Sequence, residues 1–332
     1  MKKIYIGMLL VCSVFSACND EWKDELYEQM VSFRAPVDGT GVSNIYLRYK
    51  EDGKTSYELP VIVSGSTDNA RDLDVKIGVD NDTLHTLNVG KYLGRTDLYY
   101  KQLDQKHYSF PSEICSIPAG TNVKSYIINF DFSDLNLVDK WVLPLSIERT
   151  DSYSPNMRKG WCKALLRINL FNDYSGSYSA TNMNIYIDGQ NNDPAIINTR
   201  TVSVVDENSV FFYAGTVWEE DENRAKYKII ATFDPGMEDD KGMISGGLTL
   251  RAGEESEGLD LQAVGASTYE ISTDMDKVTP YLKHYYVTMN MEYKYTDRTN
   301  PSSPIIYHAK GKLVMERKIN TLIPDQDQAI QW

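Results

Sequence analysis

The four histidines, His85, His107, His284 and His308, lie far apart, and none falls at HExxH or HxE spacing. The sequence therefore carries no local signature of a zinc protease or deaminase site. Nothing resembles GxSxG, GxGxxG or a P-loop. The glycines of ISGGL (244–248) sit inside a strand pattern, where a bulge is the expected reading. Carboxylates are abundant, and glycoside hydrolysis needs two of them flanking one bond, but abundance singles out no pair. The acidic stretches 68–74, 80–82 and 219–223 offer oxygens for a hard cation without matching a calcium loop. They read as solvated loops, and neither metal nor cofactor is expected.

Aromatic residues are the stronger signal, with 23 tyrosines and five tryptophans. A pyranose stacks its apolar face on a ring while its hydroxyls bond Asp, Asn, Gln and Arg at the rim. Most of these rings must serve the half-buried faces of sheets. Trp141 and Trp161 lie in alternating runs and read as core. Four residues stand out as candidate ligand contacts. Trp218 ends a strand directly before the polar loop EEDENR, Tyr99 and Tyr100 lie in the irregular segment RTDLYYKQLDQ, and Trp332 ends the chain. Loops on a rigid frame carry function more often than the frame does.

The elements that must position these residues are strands. Period-two alternation recurs at 31–37, 44–50, 57–65, 73–80, 124–132, 141–149 and 161–171, with turn clusters such as DGTG and PAGTN between the runs. Seven short strands at this spacing predict an immunoglobulin-like sandwich over residues 30–171. The span 88–108 is mixed and Tyr-rich, holding a short helix or a long loop. After a break at FNDYSGS, eight more runs follow at 177–187, 199–206, 209–218, 225–234, 243–252, 267–273, 284–297 and 305–318. They predict an antiparallel, up-and-down barrel or strongly curved sheet, calycin-like in kind, over 172–332, with a second sandwich as the competitor. The fold class is all-β. The tail TLIPDQDQAIQW reads as loosely packed.

The first residues describe an address. Lys2 and Lys3 precede an apolar run, Ile4 to Phe15, that is shorter than the roughly 20 residues a spanning helix needs. Ser16 and Ala17 then lead to Cys18, an arrangement that resembles bacterial lipoprotein signals. Residues 1–17 are expected to be removed, Cys18 to be acylated, and 18–29 to form a linker. The acidic Asn19-Asp20-Glu21 resembles the surface-export signal of Bacteroidetes lipoproteins. A net charge of −13 disfavours nucleic acid and anionic membrane surfaces. Cys115 and Cys162 remain in the folded part, as one disulfide or as two buried thiols.

Together the leader, SIPAGT (116–121), WVLPLSIE (141–148), FNDYSGSYSAT (171–181) and EYKYTD…GKLVMER (292–317) resemble a two-domain Bacteroidetes surface lipoprotein family of polysaccharide-utilisation loci. Its first domain is also found ahead of some family-eighteen endoglycosidases. The resemblance implies a non-catalytic protein lipid-anchored in the outer membrane and facing outward. It would bind a glycan beside a transporter and its glycan-binding lid protein. The alternative is a scaffolding module that docks on the transporter or on a hydrolase. The D-x-x-D-x-D-x-E run of the endoglycosidases is absent, which argues against catalysis. Asp82-Thr83-Leu84 resembles the O-glycosylation acceptor of exported Bacteroidetes proteins and implies an exposed turn there.

Overall fold

A computed structural model describes residues 25–137 and 139–332. The leader expected over 1–17, Cys18 and the first residues after it lie outside them. From Glu25 onward the expected linker is already docked. The Glu25 carboxylate accepts the backbone N–H groups of Ser66 (2.7 Å) and Thr67 (3.1 Å), and both of their hydroxyls.

The described chain is all-β apart from one α-helix. The first part contains β1 (Met30–Phe33), β2 (Ser43–Arg48), β3 (Lys54–Ser64), β4 (Leu73–Val79), β5 (Ile114–Ile117), β6 (Val123–Asp131), β7 (Trp141–Ile147) and β8 (Lys163–Phe171). One sheet is ordered β1-β3-β6, with the short pieces Ser154–Pro155 and Tyr108–Ser109 at its edges. The other is ordered β2-β8-β7-β4-β5, and β2 runs parallel to β8. Alternate residues of the two sheets, Leu59, Val61 and Val63 among them, meet Leu143, Leu145 and Leu166 in one buried core. Cys115 and Cys162 are both free and buried in it. Burial pushes the Cys115 thiol up to about 11.

The helix, α1 (Asn81–Tyr92), begins inside the stretch that reads in sequence as an acidic loop. Asp80 is its N-cap, accepting the Thr83 N–H at 3.1 Å, and Asp82 adds negative charge to the first turn. Thr83 is thus no exposed turn. Its hydroxyl donates to Asp80 (2.7 Å) and also bonds the Lys163 ammonium. Leu84 packs with Val42, Tyr100, Val142 and Leu165 on the outer face of β7 and β8. Those strands are buried on both faces, which explains their unbroken apolar runs. In the stretch 68–74, Asp68 accepts from Asn122 (2.8 Å), Asp72 from the Ala119 N–H (2.8 Å) and Asp74 from Ser116 (2.6 Å). These carboxylates tie loops of the chain together.

The second part is a closed barrel of eight strands: β9 (Gly176–Ile187), β10 (Thr199–Val204), β11 (Ser209–Tyr213), β12 (Lys228–Phe233), β13 (Ile244–Ala252), β14 (Ser267–Met275), β15 (Leu282–Asp297) and β16 (Ile305–Asn320). Each pairs antiparallel with the next, and β16 returns to pair with β9, leaving a bulge between Ser179 and Asn182. Gly311 occupies this seam at φ +145, where an added Cβ would stand 1.9 Å from the Asn182 carbonyl oxygen. Tyr178, Phe212, Tyr269, Met289 and Tyr293 fill the interior, so the barrel is a packed core.

The break at FNDYSGS is a locked joint rather than a loose linker. Buried Asn172 accepts the N–H groups of Tyr174 (3.0 Å) and Ser175 (2.8 Å) through its side-chain oxygen and donates to the Asp206 carbonyl at 2.8 Å. Arg317 of β16 donates to the carbonyls of Asn172 (3.0 Å) and Ser175 (2.8 Å). The C-terminal tail, expected to pack loosely, returns to the first part. Asp327 pairs with Arg48 at 2.7 Å, and Arg48 also holds Asp173 at 2.8 Å.

Candidate functional site

Two outer faces meet at the joint. On β8 the residues outward of the sandwich core are Leu165, Arg167, Asn169 and Phe171, and Tyr46 of β2 stands beside Asn169 in register. On the barrel, Phe211, Tyr213 and Ile230 face outward yet are buried as a cluster of their own, while Val210 and Phe212 face in. Between these faces lies a cleft of about 370 Å³, within the range of small-ligand sites. Its walls carry Tyr46, Tyr99, Trp141 and Trp332, with Arg167 and Asn169 from the sandwich and Thr201 and Ser203 from the barrel. A second hollow of about 720 Å³ shares Asp97, Asp139, Tyr213 and Arg224 with it, so the groove continues along the joint.

Several contacts fix the width of the groove. Trp332, 51% exposed, stacks on Tyr46 with ring centres 4.2 Å apart and planes 7° from parallel. The edge of Phe171 meets Trp332 at 4.8 Å, and the Arg317 guanidinium lies 5.5 Å from the Trp332 ring. At the other end, Arg224 of the barrel donates to the Asp97 carbonyl (2.9 Å), and Arg95 donates to the Glu220 carbonyl (2.9 Å). Hydrogen bonding from Arg95, ahead of that from Arg224, holds the Asp97 carboxyl down at about 2.

The candidates read from sequence separate here. Tyr99 and Trp332 come together on the cleft walls; the Tyr99 hydroxyl donates to the Leu93 carbonyl at 2.5 Å. Tyr100 is only 3% exposed and has no ring face to offer a ligand. It packs under α1, and its backbone exchanges two 2.9 Å hydrogen bonds with the side chain of Asn88. Trp218 is 70% exposed on the loop after β11 and lies outside the cleft walls, although Glu219 next to it is part of them. The two tryptophans read as core also divide. Trp161 is 47% exposed at a turn before β8, whereas Trp141 is half-buried on the cleft wall, its indole N–H donating to the Asn136 carbonyl at 2.7 Å. Tyr46, Trp141 and Arg167 were not foreseen as site residues. The available signal was the pair of unbroken apolar runs WVLPL and SVFFY, which mark strands covered on both faces.

Two cations of the cleft wall, Lys140 and Arg167, rest on tyrosine rings at 5.8 Å from Tyr92 and 5.7 Å from Tyr100. Burial, and after it the charge of Arg167, lowers the pKa of the Lys140 ammonium. Among the described residues no group of three His, Cys, Asp or Glu side chains is arranged to hold a metal ion.

The molecule is thus a sandwich joined rigidly to a closed barrel, with an aromatic, polar-rimmed cleft at the joint. Residues 22–152 match the model of a domain of unknown function, DUF4973, and residues 162–314 match that of a C-terminal domain. A Bacteroides ovatus protein of unknown function is 41% identical, with 92% of this chain and 100% of that one covered and a TM-score of 0.81. A B. ovatus multidomain protein including DUF1735 is 40% identical over 92% of this chain and 100% of that one, at TM-score 0.80. An auxiliary nutrient binding protein of Bacteroides thetaiotaomicron is 34% identical over 92% and 100%, at TM-score 0.77. No curated protein matches. The chain belongs to the family that these Bacteroides proteins form.

Proposed function

We propose that this protein is a non-catalytic glycan-binding lipoprotein, anchored through Cys18 at the outer membrane, that captures an oligosaccharide in the cleft between sandwich and barrel. The observation that carries this is the cleft itself, where rings from both parts stand beside Asn169, Thr201, Ser203 and Arg167. Rings and short polar side chains on a fixed wall are what a sugar's apolar face and hydroxyls require. The similarity to an auxiliary nutrient binding protein supports a capture role, and the lipoprotein-like leader supports an exported, anchored one. Such a protein would pass its glycan to a neighbouring outer-membrane transporter and that transporter's lid protein.

The test is binding of the purified protein to an array of host, mucin and plant glycans. Saturable binding is expected, weakened by Tyr46→Ala and Trp141→Ala and retained by Trp161→Ala at unchanged melting temperature. Loss through Trp218→Ala with Tyr46→Ala and Trp141→Ala silent would move the site to the outer loop. Absence of binding to every glycan would overturn the proposal.

Docking on a protein partner has one observation in its favour. At one end of the barrel Val278, Tyr281, Leu322 and Ile323 are exposed on adjacent turns, which the Thr321 N–H joins by donating to the Tyr281 carbonyl at 2.8 Å.

A further inference from the structure

We propose that the glycan held in this cleft is an acidic one, whose carboxylate or sulfate group docks on the paired cations Lys140 and Arg167. This rests on the glycan-binding function proposed above and narrows it to a class of ligand.

Of the three cations on the cleft wall, Lys140, Arg167 and Arg224, the first two stand apart. Arg224 pairs with Asp97 (3.4 Å), and nearby Arg95 pairs with Asp97 (2.9 Å) and Lys101 with Asp139 (2.7 Å), whereas Lys228 and Arg251 of the adjoining hollow join no ion pair among the described residues. Lys140 and Arg167, among the described residues, join no ion pair and donate no side-chain hydrogen bond. They are half-buried on the same wall of the cleft, in a chain whose net charge is −13. Two like charges drawn partly out of water with no carboxylate in ion-pair contact are costly to keep, and an acidic chain has carboxylates to spare for pairing them. The carboxylates of the cleft do not fill the gap. Asp97 and Asp139 are committed to the cations named above, and Glu219, on the barrel side, joins no ion pair among the described residues.

Tyrosine rings support both cations. The contacts at 5.8 and 5.7 Å position the charges without occupying their N–H groups. A guanidinium offers a planar fork that matches a carboxylate or sulfate edge, and an ammonium adds a mobile point charge beside it. Trp141 follows Lys140 directly in the chain and lines the same cleft, so a sugar stacked there would bring a ring substituent within reach of the pair. A neutral sugar would leave both charges unmatched in a space it had just cleared of water.

The test measures affinity for polygalacturonate and for chondroitin sulfate, for their carboxyl-reduced and desulfated forms, and for a neutral mannan. An acidic polymer is expected to bind, and removing the responsible anion from it should weaken binding about tenfold or more. Arg167→Gln and Lys140→Gln should each do the same, and added salt should weaken binding to the wild type. Carboxyl reduction against desulfation tells which anion is read. Should either variant fail to fold, the native protein's comparison of charged with neutralised polymer still decides. Binding of the neutral mannan that Tyr46→Ala weakens and that Arg167→Gln and Lys140→Gln leave unchanged would overturn the acidic assignment while leaving the glycan-binding cleft in place. Silence towards every polymer would overturn both.

Discussion

Replacing Arg317 by methionine is expected to loosen the joint that shapes the cleft. The guanidinium is 6% exposed and donates to the carbonyls of Asn172 (3.0 Å) and Ser175 (2.8 Å). It also lies 5.7 Å from the Phe171 ring and 5.5 Å from that of Trp332. Methionine fills most of the volume but donates nothing. Leaving two carbonyls without their donor costs about 1–3 kcal/mol each, and the lost ring contacts add about 0.5–1 kcal/mol apiece. Against this stands the release of a charge that burial penalises, the same burial that lowers the pKa of Arg317. The net expectation is a loss of about 2–4 kcal/mol, a large share of the roughly 5–15 kcal/mol that holds a typical domain folded. Urea unfolding followed by tryptophan fluorescence and far-ultraviolet circular dichroism would read it as a lower midpoint at unchanged slope. Because Trp332 rests on the same cation, the fluorescence of the folded state should shift as well. A midpoint within about 0.5 kcal/mol of the wild type would show that water satisfies those carbonyls equally well, and would refute the account of a locked joint.

Two further perturbations test the fold at separate points. Gly311→Ala should cost about 3 kcal/mol or more, because φ +145 excludes a side chain and the new Cβ would meet the Asn182 carbonyl at 1.9 Å; a melting temperature equal to that of the wild type would argue against this closure of the barrel. His284 bonds Glu316 through Nδ1 and Asp276 through Nε2 at 3.1 Å, the former raising its pKa most. With the folded pKa above the unfolded value of about 6.5, its contribution is fully present below that value and is lost as pH rises through the folded pKa. Titration of the His284 ring by NMR should therefore place its midpoint above about 6.5, and a midpoint at or below that would remove the ion pairs from the account.

Strand existence was legible because alternation is a local property. Each of the eight runs from Ser177 onward overlaps one strand of the barrel, although the run 209–218, expected to end at Trp218, is strand only to Tyr213, and the all-β class followed from them. Whether the last sheet closes depends on β16 finding β9 more than a hundred residues away, and no local pattern encodes that pairing. A short helix was one reading of 88–108, but the start of the helix at Asn81 was hidden for a different reason. Asp80, Asn81 and Asp82 are equally at home in a turn, a cation loop or a helix N-terminus, and only the backbone path shows that Asp80 caps. Trp141 and Trp161 both read as core, yet only Trp141 packs against it and Trp161 is exposed, because period two tells which residues share a face, not whether the strand end is covered. The tail was misjudged for want of periodicity, since its docking rests on single long-range contacts such as Asp327 with Arg48.

The cleft was the least legible feature, and the physics of the joint explains both its invisibility and its use. Its walls are the outer faces of two independently patterned units, so each residue looks like ordinary surface or ordinary core until the units are placed together. Domains joined by a single segment ordinarily move against each other. Here the segment is held by Asn172 and Arg317, the opposite rim by Arg224 on Asp97, and the tail by Arg48 and Tyr46. A saccharide brings little apolar surface, so its binding is easily cancelled by the cost of ordering the walls that receive it. A joint already fixed by five separate side chains removes that cost before the ligand arrives. The same rigidity keeps Lys140 and Arg167 on one wall of the cleft, each over a tyrosine ring, which leaves their charge for a ligand to meet.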